Sequence, residues 1–244
     1  IIDEDQRNGL YILTGSSQFQ LNNQISQSLA GRVGNLSLLP FSIAELKTGR
    51  KFNKSIDHNL FHGFYPRILA KGSTPRRWLN AYIETYIEKD IRQLIEIKNR
   101  DSFLRFISLC AGNVGALLNL SRIAADCSIT VPTAKSWLSV LQASYICFTL
   151  QPHSSNFRKR VVKTPKLYFY DVGLACRLLG IQEESQINTH PLRGSLFENM
   201  VVTDLLKTRL NQGIDPSMFF WRDSAGLEID LILENGNQLQ PIEI

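Results

Sequence analysis

The sequence has no cysteine pair at the C-x-x-C spacing, no apolar run of the roughly 18 residues that a membrane span needs, and no G-x-x-x-x-G-K-[ST] phosphate loop. Histidine is scarce, with four, and methionine scarcer, with two. Each shortage excludes something. Cys110, Cys127, Cys147 and Cys176 are far apart and lie in apolar stretches, which argues against a disulfide frame and for buried free thiols in a reducing cytoplasm. With no signal peptide and no spanning run, the chain is expected to be cytoplasmic, with no membrane partner. His58 and His62 have the i,i+4 spacing of a metal pair. No glutamate follows His58, however, and the surrounding NLFHGFYP is aromatic and turn-rich, so the pair is not read as a zinc site. Internal repeats and low-complexity tracts are also missing.

What is present suits a folded protein: 43% of the 244 residues are hydrophobic, enough to bury a core. The chain starts at Ile1 and stops at Ile244 inside an apolar, strand-like run, and it is read as part of a longer protein. The net charge of +5 means little, but its distribution means more. Residues 101–180 carry a net +6 and residues 181–244 a net −6. A basic middle beside an acidic tail points to two modules with different partners, the first suited to a polyanion or simply to a solvated face.

Along the chain, LYIL (Leu10 to Leu13) is a short apolar strand running into the turn Thr14-Gly15-Ser16-Ser17, and Asn22 to Arg32 suits a short helix. Pro75 introduces RRWLNAYIETYIEKDIRQLIEI, whose apolar residues recur at helical spacing over about five turns. Residues 101–150 read as three helices, the first from Phe103 to Ala111, the second capped by Ser121 and the third by Thr130. The last two, joined by a tight turn, form a helix-turn-helix pattern. The strand-like YICFTLQ (145–151) and KLYFYD (166–171) flank a basic loop, and together with the helices they make a winged-helix arrangement. The tail reads α–β–β–β: the helix GSLFENMVVTDLLKTRL, then MFFWRD, LEIDLILE and QLQPIEI, with Asn235-Gly236-Asn237 as a hairpin turn.

IIDE at Ile1–Glu4 looks like the acidic strand that holds magnesium in nucleotide-binding enzymes. Only five residues separate Glu4 from Leu10, too few for a parallel crossover, so IIDE is read as a helix end or loop. LTGSS can present hydroxyls at a sheet edge where nucleotides bind, although many strands end in such turns. LTGSSQF, SLAGRVGNLSLLPFSIAEL, GFYPRIL and YIETYIEKDI resemble a family of bacterial and archaeal AAA-type P-loop ATPases with a C-terminal domain of unknown function. NLSRIAADCSITVPTAKSWLSVLQASYICFTLQP, KLYFYDVGLACRLLG, GSLFENMVV and LEIDLIL are similar to that C-terminal domain. The resemblance covers nearly the whole chain. It implies that Thr14 and Ser16 match the sensor of the γ-phosphate and that Arg32 contacts phosphate, with ATP bound through a part of the protein that precedes Ile1.

In the tail, Glu198 on the helix, Asp230 on one strand and Glu243 on the next are three oxygen donors able to seat Mg²⁺. Their order resembles the restriction-endonuclease-like nuclease fold, which implies Asp230 and Glu243 as the metal ligands and a lysine two residues after the last glutamate; PIEI stops one residue short of it. Glu228 and Asp230 lie on one face of their strand. The same carboxylates could simply decorate a solvated edge. On the helix-turn-helix, Thr133, Lys135, Ser136 and Ser139 could face outward to phosphates or base edges, and Arg158, Lys159, Arg160 and Lys163 would add phosphate contacts from the wing. Packing or protein contact is the other use of such a module.

The expected architecture is therefore α/β, mixed α+β: the end of an ATPase core over 1–50, a helical connector over 51–100, a winged helix over 101–170 and a restriction-endonuclease-like module over 171–244. The function expected is that of the C-terminal portion of an AAA-type ATPase that binds or acts on nucleic acid. The alternatives are a Mg-dependent nuclease regulated by the ATPase, or a non-catalytic module with protein partners, a second copy of the chain among them.

Overall fold

Two serines set the first helices. Ser42 accepts a hydrogen bond from the Glu45 amide while Glu45 accepts one from the Ser42 amide, a reciprocal cap that starts α1 (Ile43–Thr48). Ser55 caps α2 (Ile56–His62), which stops at Gly63 with φ 64° and ψ −164°, a conformation open to glycine alone. The computed structural model describes residues 12, 34, 36–70, 74–91, 99–153, 164–223 and 225–244, with the side chains of 88–91 excepted. The chain divides into a unit over Ile1–Ser37 and a unit over Leu38–Ile244. In the first only Ile12, Gly34, Leu36 and Ser37 are described, so the strand expected over 10–13 apart from Ile12, the helix over 22–32, IIDE, Thr14, Ser16 and Arg32 lie outside the described residues.

In the second unit Pro66 opens the single turn α3 (Pro66–Leu69), and Pro75 opens α4 (Pro75–Tyr82) behind the cap of Thr74. The helix continues as a π-helix over Ile83–Ile91. Its i,i+4 aromatics stack in a column: Trp78 on Tyr82 at 5.1 Å, and Tyr82 on Tyr86 at 5.2 Å. Tyr65 packs against the first two, and burial raises its hydroxyl pKa well above the usual value.

The three helices of the middle are α5 (Arg100–Ala111), α6 (Leu120–Asp126) and α7 (Val131–Ala143). The cap of α6 differs from the expectation. Asn119, not Ser121, accepts from the Arg122 amide at 3.0 Å, because the helix begins two residues earlier than its hydrophobic pattern suggests. Thr130 caps α7 as expected, accepting from the Thr133 amide at 3.2 Å. Between α6 and α7, Ser128 sits at φ 56°, which lets the chain reverse within four residues.

The strands are β1 (Cys147–Pro152), β2 (Lys166–Phe169), β3 (Met218–Arg222), β4 (Glu228–Asn235) and β5 (Gln238–Ile242). They form one mixed sheet in the order β2-β1-β3-β4-β5, with β1 parallel to β3 and the other neighbours antiparallel. The antiparallel pair β1 and β2 after α7 and the strands of the tail thus belong to one sheet, which runs across the expected boundary at 170–171. Between β2 and β3 come α8 (Val172–Leu178), a 3-10 turn over Glu184–Gln186, and α9 (Arg193–Asn211). The sheet and α9 share a core of Leu150, Tyr168, Val202, Leu206, Phe220 and Leu231. Asn235-Gly236-Asn237 turns β4 into β5 as expected, with Gly236 at φ 60°.

The motifs that carry the resemblance meet in space. Asn199 of GSLFENMVV is fully buried and accepts from the Phe169 amide at 2.7 Å while donating to the Phe169 carbonyl at 3.1 Å. Asp171 of KLYFYDVG accepts from the Phe64 amide of GFYPRIL at 2.7 Å and caps α8 by accepting from the Leu174 amide at 2.9 Å. A Cβ on Gly173 would lie 2.7 Å from the Gly63 nitrogen, so glycine at 173 lets α8 rest on the backbone that ends α2.

Lys207 on α9 is buried beside this contact. Its ammonium donates to the Phe41 carbonyl at 3.3 Å and lies 5.3 Å from the centre of the Phe64 ring. Burial lowers its pKa to about 8, against the opposing pull of Asp171, Asp204 and Glu45. The unfolded lysine titrates near 10.5, so between about pH 8 and 10.5 the unfolded chain binds more protons and this group makes stability rise with pH. Wild type should therefore gain on the order of 3 kcal/mol over that window relative to Lys207→Met. Urea denaturation of both proteins at pH 7.5 and 10 measures the difference; equal changes with pH in the two would refute the buried charge.

Candidate carboxylate–lysine site

Lys166 opens β2, only 3% exposed, and its side chain reaches over the Phe220 ring of β3, 5.6 Å from the ring centre. There its ammonium meets three carboxylates. Glu198 Oε1 on α9 lies at 3.1 Å, Asp230 Oδ1 on β4 at 3.7 Å, and Glu228 Oε1 on β4 makes a short contact. The period of two in β4 places Glu228 and Asp230 on one face, as expected, and α9 brings Glu198 over it. Tyr168, two residues along β2, donates its hydroxyl to Glu198 Oε1 at 2.5 Å. Arg222 holds Glu228 Oε2 at 3.1 Å, and the amide of Ile244 donates to Asp230 Oδ2 at 3.0 Å. Gly115, at φ 74°, lets a loop close over the cluster, because a Cβ there would stand 3.2 Å from Glu198 Oε2.

Burial disfavours the charge on Lys166, but hydrogen bonds to Glu228 and Glu198 prevail and raise its pKa. Burial first, and the Glu198 charge next, push the Tyr168 hydroxyl well above its ordinary range. Lys166 thus keeps its charge among the acidic side chains, and Tyr168 stays a neutral donor.

This arrangement brings together Glu198 and Asp230 of the three expected carboxylates. Glu243 follows β5, is exposed, and is not among the partners of Lys166. Glu228 completes the trio around Lys166, a lysine from β2. As arranged, the cluster does not fit Mg²⁺: the Lys166 ammonium occupies the point on which the oxygens converge. Among the described residues, the one trio of potential ligands gathered within 4.8 Å is His58, His62 and Glu184, which sequence spacing alone does not reveal because Glu184 is 126 positions from His58. Lys166 opens a wholly buried strand, but that burial is visible only in the structure, so spacing in the sequence does not single it out.

On α7, Lys135, Ser136 and Ser139 are exposed, whereas Thr133 is half-buried and bonds the Thr130 hydroxyl at 2.8 Å, which engages it in the cap. Trp137 faces inward, edge-on to Phe103 and Phe106. Arg158, Lys159, Arg160 and Lys163 lie outside the described residues. All four cysteines are buried and free, and among the described residues no helix is long and apolar enough to cross a membrane.

The chain is related to AAA-type ATPases: the AAA domain matches residues 1–47, and a domain of unknown function, DUF4143, matches residues 193–244. A further domain of unknown function, DUF8612, matches residues 53–185, more than half of the chain, and the chain belongs to that family. It is similar to uncharacterized proteins of Mycobacterium bovis and Mycobacterium tuberculosis, each 26% identical over 247 residues that take in 100% of this chain and 54% of the relative. An uncharacterized protein of Haemophilus influenzae is 21% identical over 246 residues, 96% of this chain and 58% of its own. The chain thus spans little more than half the length of the curated relatives it matches. No solved structure matches it.

Proposed function

We propose that this chain is the C-terminal portion of an AAA-type ATPase that binds or acts on nucleic acid. Thr14, Ser16 and Arg32, inside the segment matched by the AAA domain, would contact the nucleotide, with the phosphate loop and its Mg²⁺ supplied from outside residues 1–244. The observation that carries the nucleic-acid reading is the exposed chemistry of the middle helices. Arg105 on α5, Arg122 on α6, and Lys135, Ser136 and Ser139 on α7 stand in solvent while Trp137, Leu138 and Val140 turn inward. Cations with short hydroxyls beside them are the usual donors to phosphate oxygens. The Lys166 cluster serves in this reading as an internal brace between α9 and the sheet.

The test is fluorescence anisotropy with a labelled DNA duplex across a salt series. Arg122→Ala with Lys135→Ala should weaken binding about tenfold or more and reduce the salt slope by about 2, close to one for each phosphate-binding cation removed. Unchanged affinity and slope would make these helices a protein-contact surface. With Mg²⁺ added, the duplex should stay intact. Cleavage that disappears in Asp230→Ala would instead make the carboxylate cluster a nuclease site.

A further inference from the structure

A second side-chain cluster lies apart from the carboxylate–lysine site, wholly inside the segment 53–185 that defines the family. His58 and His62 stand one turn apart on α2 with their rings stacked, centres 3.7 Å apart and planes 23° from parallel. Glu184, from the 3-10 turn after α8, places Oε2 3.0 Å from His58 Nδ1 and 3.8 Å from His62 Nδ1. A ligand atom from each of the three lies within 4.8 Å of the other two, and all three residues are half-buried. We infer that His58, His62 and Glu184 form a binding site for a divalent transition-metal ion of the zinc class, with a fourth position left for water.

The distances suit an ion. Zinc with nitrogen and oxygen donors at roughly 2.0–2.2 Å in a tetrahedron spaces its ligands about 3.3–3.5 Å apart. The two Nδ1···Oε2 separations, 3.0 and 3.8 Å, straddle that edge length, so closing on an ion takes shifts of a few tenths of an ångström. Both Nδ1 atoms face the same carboxylate oxygen, so one ion can take a donor from each of the three residues. A single divalent ion satisfies both nitrogens and the carboxylate together. His62 Nδ1 also lies 3.0 Å from the His58 carbonyl, to which it can only donate, so binding metal through Nδ1 breaks this bond and leaves the ring proton on Nε2. Two imidazoles select Zn²⁺, Co²⁺ or Ni²⁺ over Mg²⁺ and Ca²⁺, which prefer oxygen.

The site also has a rigid surround. Asp57, beside His58, is held by Arg193 of α9 at 2.8 Å, and α2 ends on the Gly63–Gly173 backbone contact. An ion here ties α2 to the segment after α8 by a bond set that the sequence keeps 126 positions apart. Its role is to lock the family domain, and the open fourth position leaves room for a small ligand.

The experiment dialyses the full chain against a chelator and titrates it with Zn²⁺ and with Co²⁺. About one ion per chain should bind, with a visible Co²⁺ ligand-field absorption, and Tm should rise by about 5–10 °C at a hundredfold excess of Zn²⁺ over Kd. His62→Ala should abolish the Co²⁺ band. Glu184→Gln, which keeps a polar group of the same size should His62→Ala fail to fold, should weaken Zn²⁺ on the order of tenfold or more. No binding by the wild type overturns the inference. So does equal stoichiometry and an equal Tm rise in the variants, which would assign the ion to the thiols or the other histidines.

Discussion

Asp171→Ala is expected to destabilise the protein by about 3–5 kcal/mol, more than any other single substitution described above. The carboxylate is completely buried, and burial raises its pKa, yet it serves three neighbours at once. It accepts the Phe64 amide, which follows Gly63, and it accepts the Leu174 amide as the cap of α8. It also helps to neutralise the buried Lys207. Alanine orphans both amides and leaves an ammonium buried with one acid fewer. Asp171→Asn keeps one acceptor oxygen and the shape, so it should lose about half as much. Thermal and urea unfolding of the three proteins at pH 7.5 would show it, and a loss below about 1 kcal/mol for the alanine variant would contradict the account.

Lys166→Met should cost about 2–4 kcal/mol at pH 7.5. Methionine fills the same volume over Phe220 but leaves Glu198, Glu228 and Asp230 facing one another with Arg222 as the remaining cation. The carboxylates are 16–24% exposed, so water relieves part of the roughly 3–5 kcal/mol lost on breaking a fully buried pair. The loss carries its own salt signature. Without the ammonium the three carboxylates repel one another, and salt screens both that repulsion and the ion pairs of the wild type. The gap to wild type should narrow as ionic strength rises from about 0.05 to 1 M. A gap that is constant with salt would mean that packing, and not charge, holds the cluster.

Much of the fold is legible in the order of residues. The helices at Phe103–Ala111 and after Thr130, the strands at 147–152 and 166–169, the long α9 and the Asn-Gly turn all follow from local periodicity and capping, which act within a few residues. The site is legible only in part. Glu198, Glu228 and Asp230 stand out as carboxylates with helix and strand spacing, but Lys166 does not, because its partners are 32 or more positions away and strand periodicity cannot say which strands are neighbours. Glu243 is the natural third member by spacing; it is exposed where it follows β5, and it is the Ile244 amide that bonds Asp230.

By itself, then, the sequence determined the mixed α and β elements, the resemblance to AAA-type ATPases and the surplus of acids in a tail rich in strands. Tertiary structure alone decided that β1, β2 and the tail share one sheet, that a lysine neutralises the acids, and that Glu184 joins two histidines on a distant helix. The physical reason is range: helix and turn preferences are settled between near neighbours, whereas charge pairing and metal-like convergence depend on distances that exist only after the chain has closed on itself.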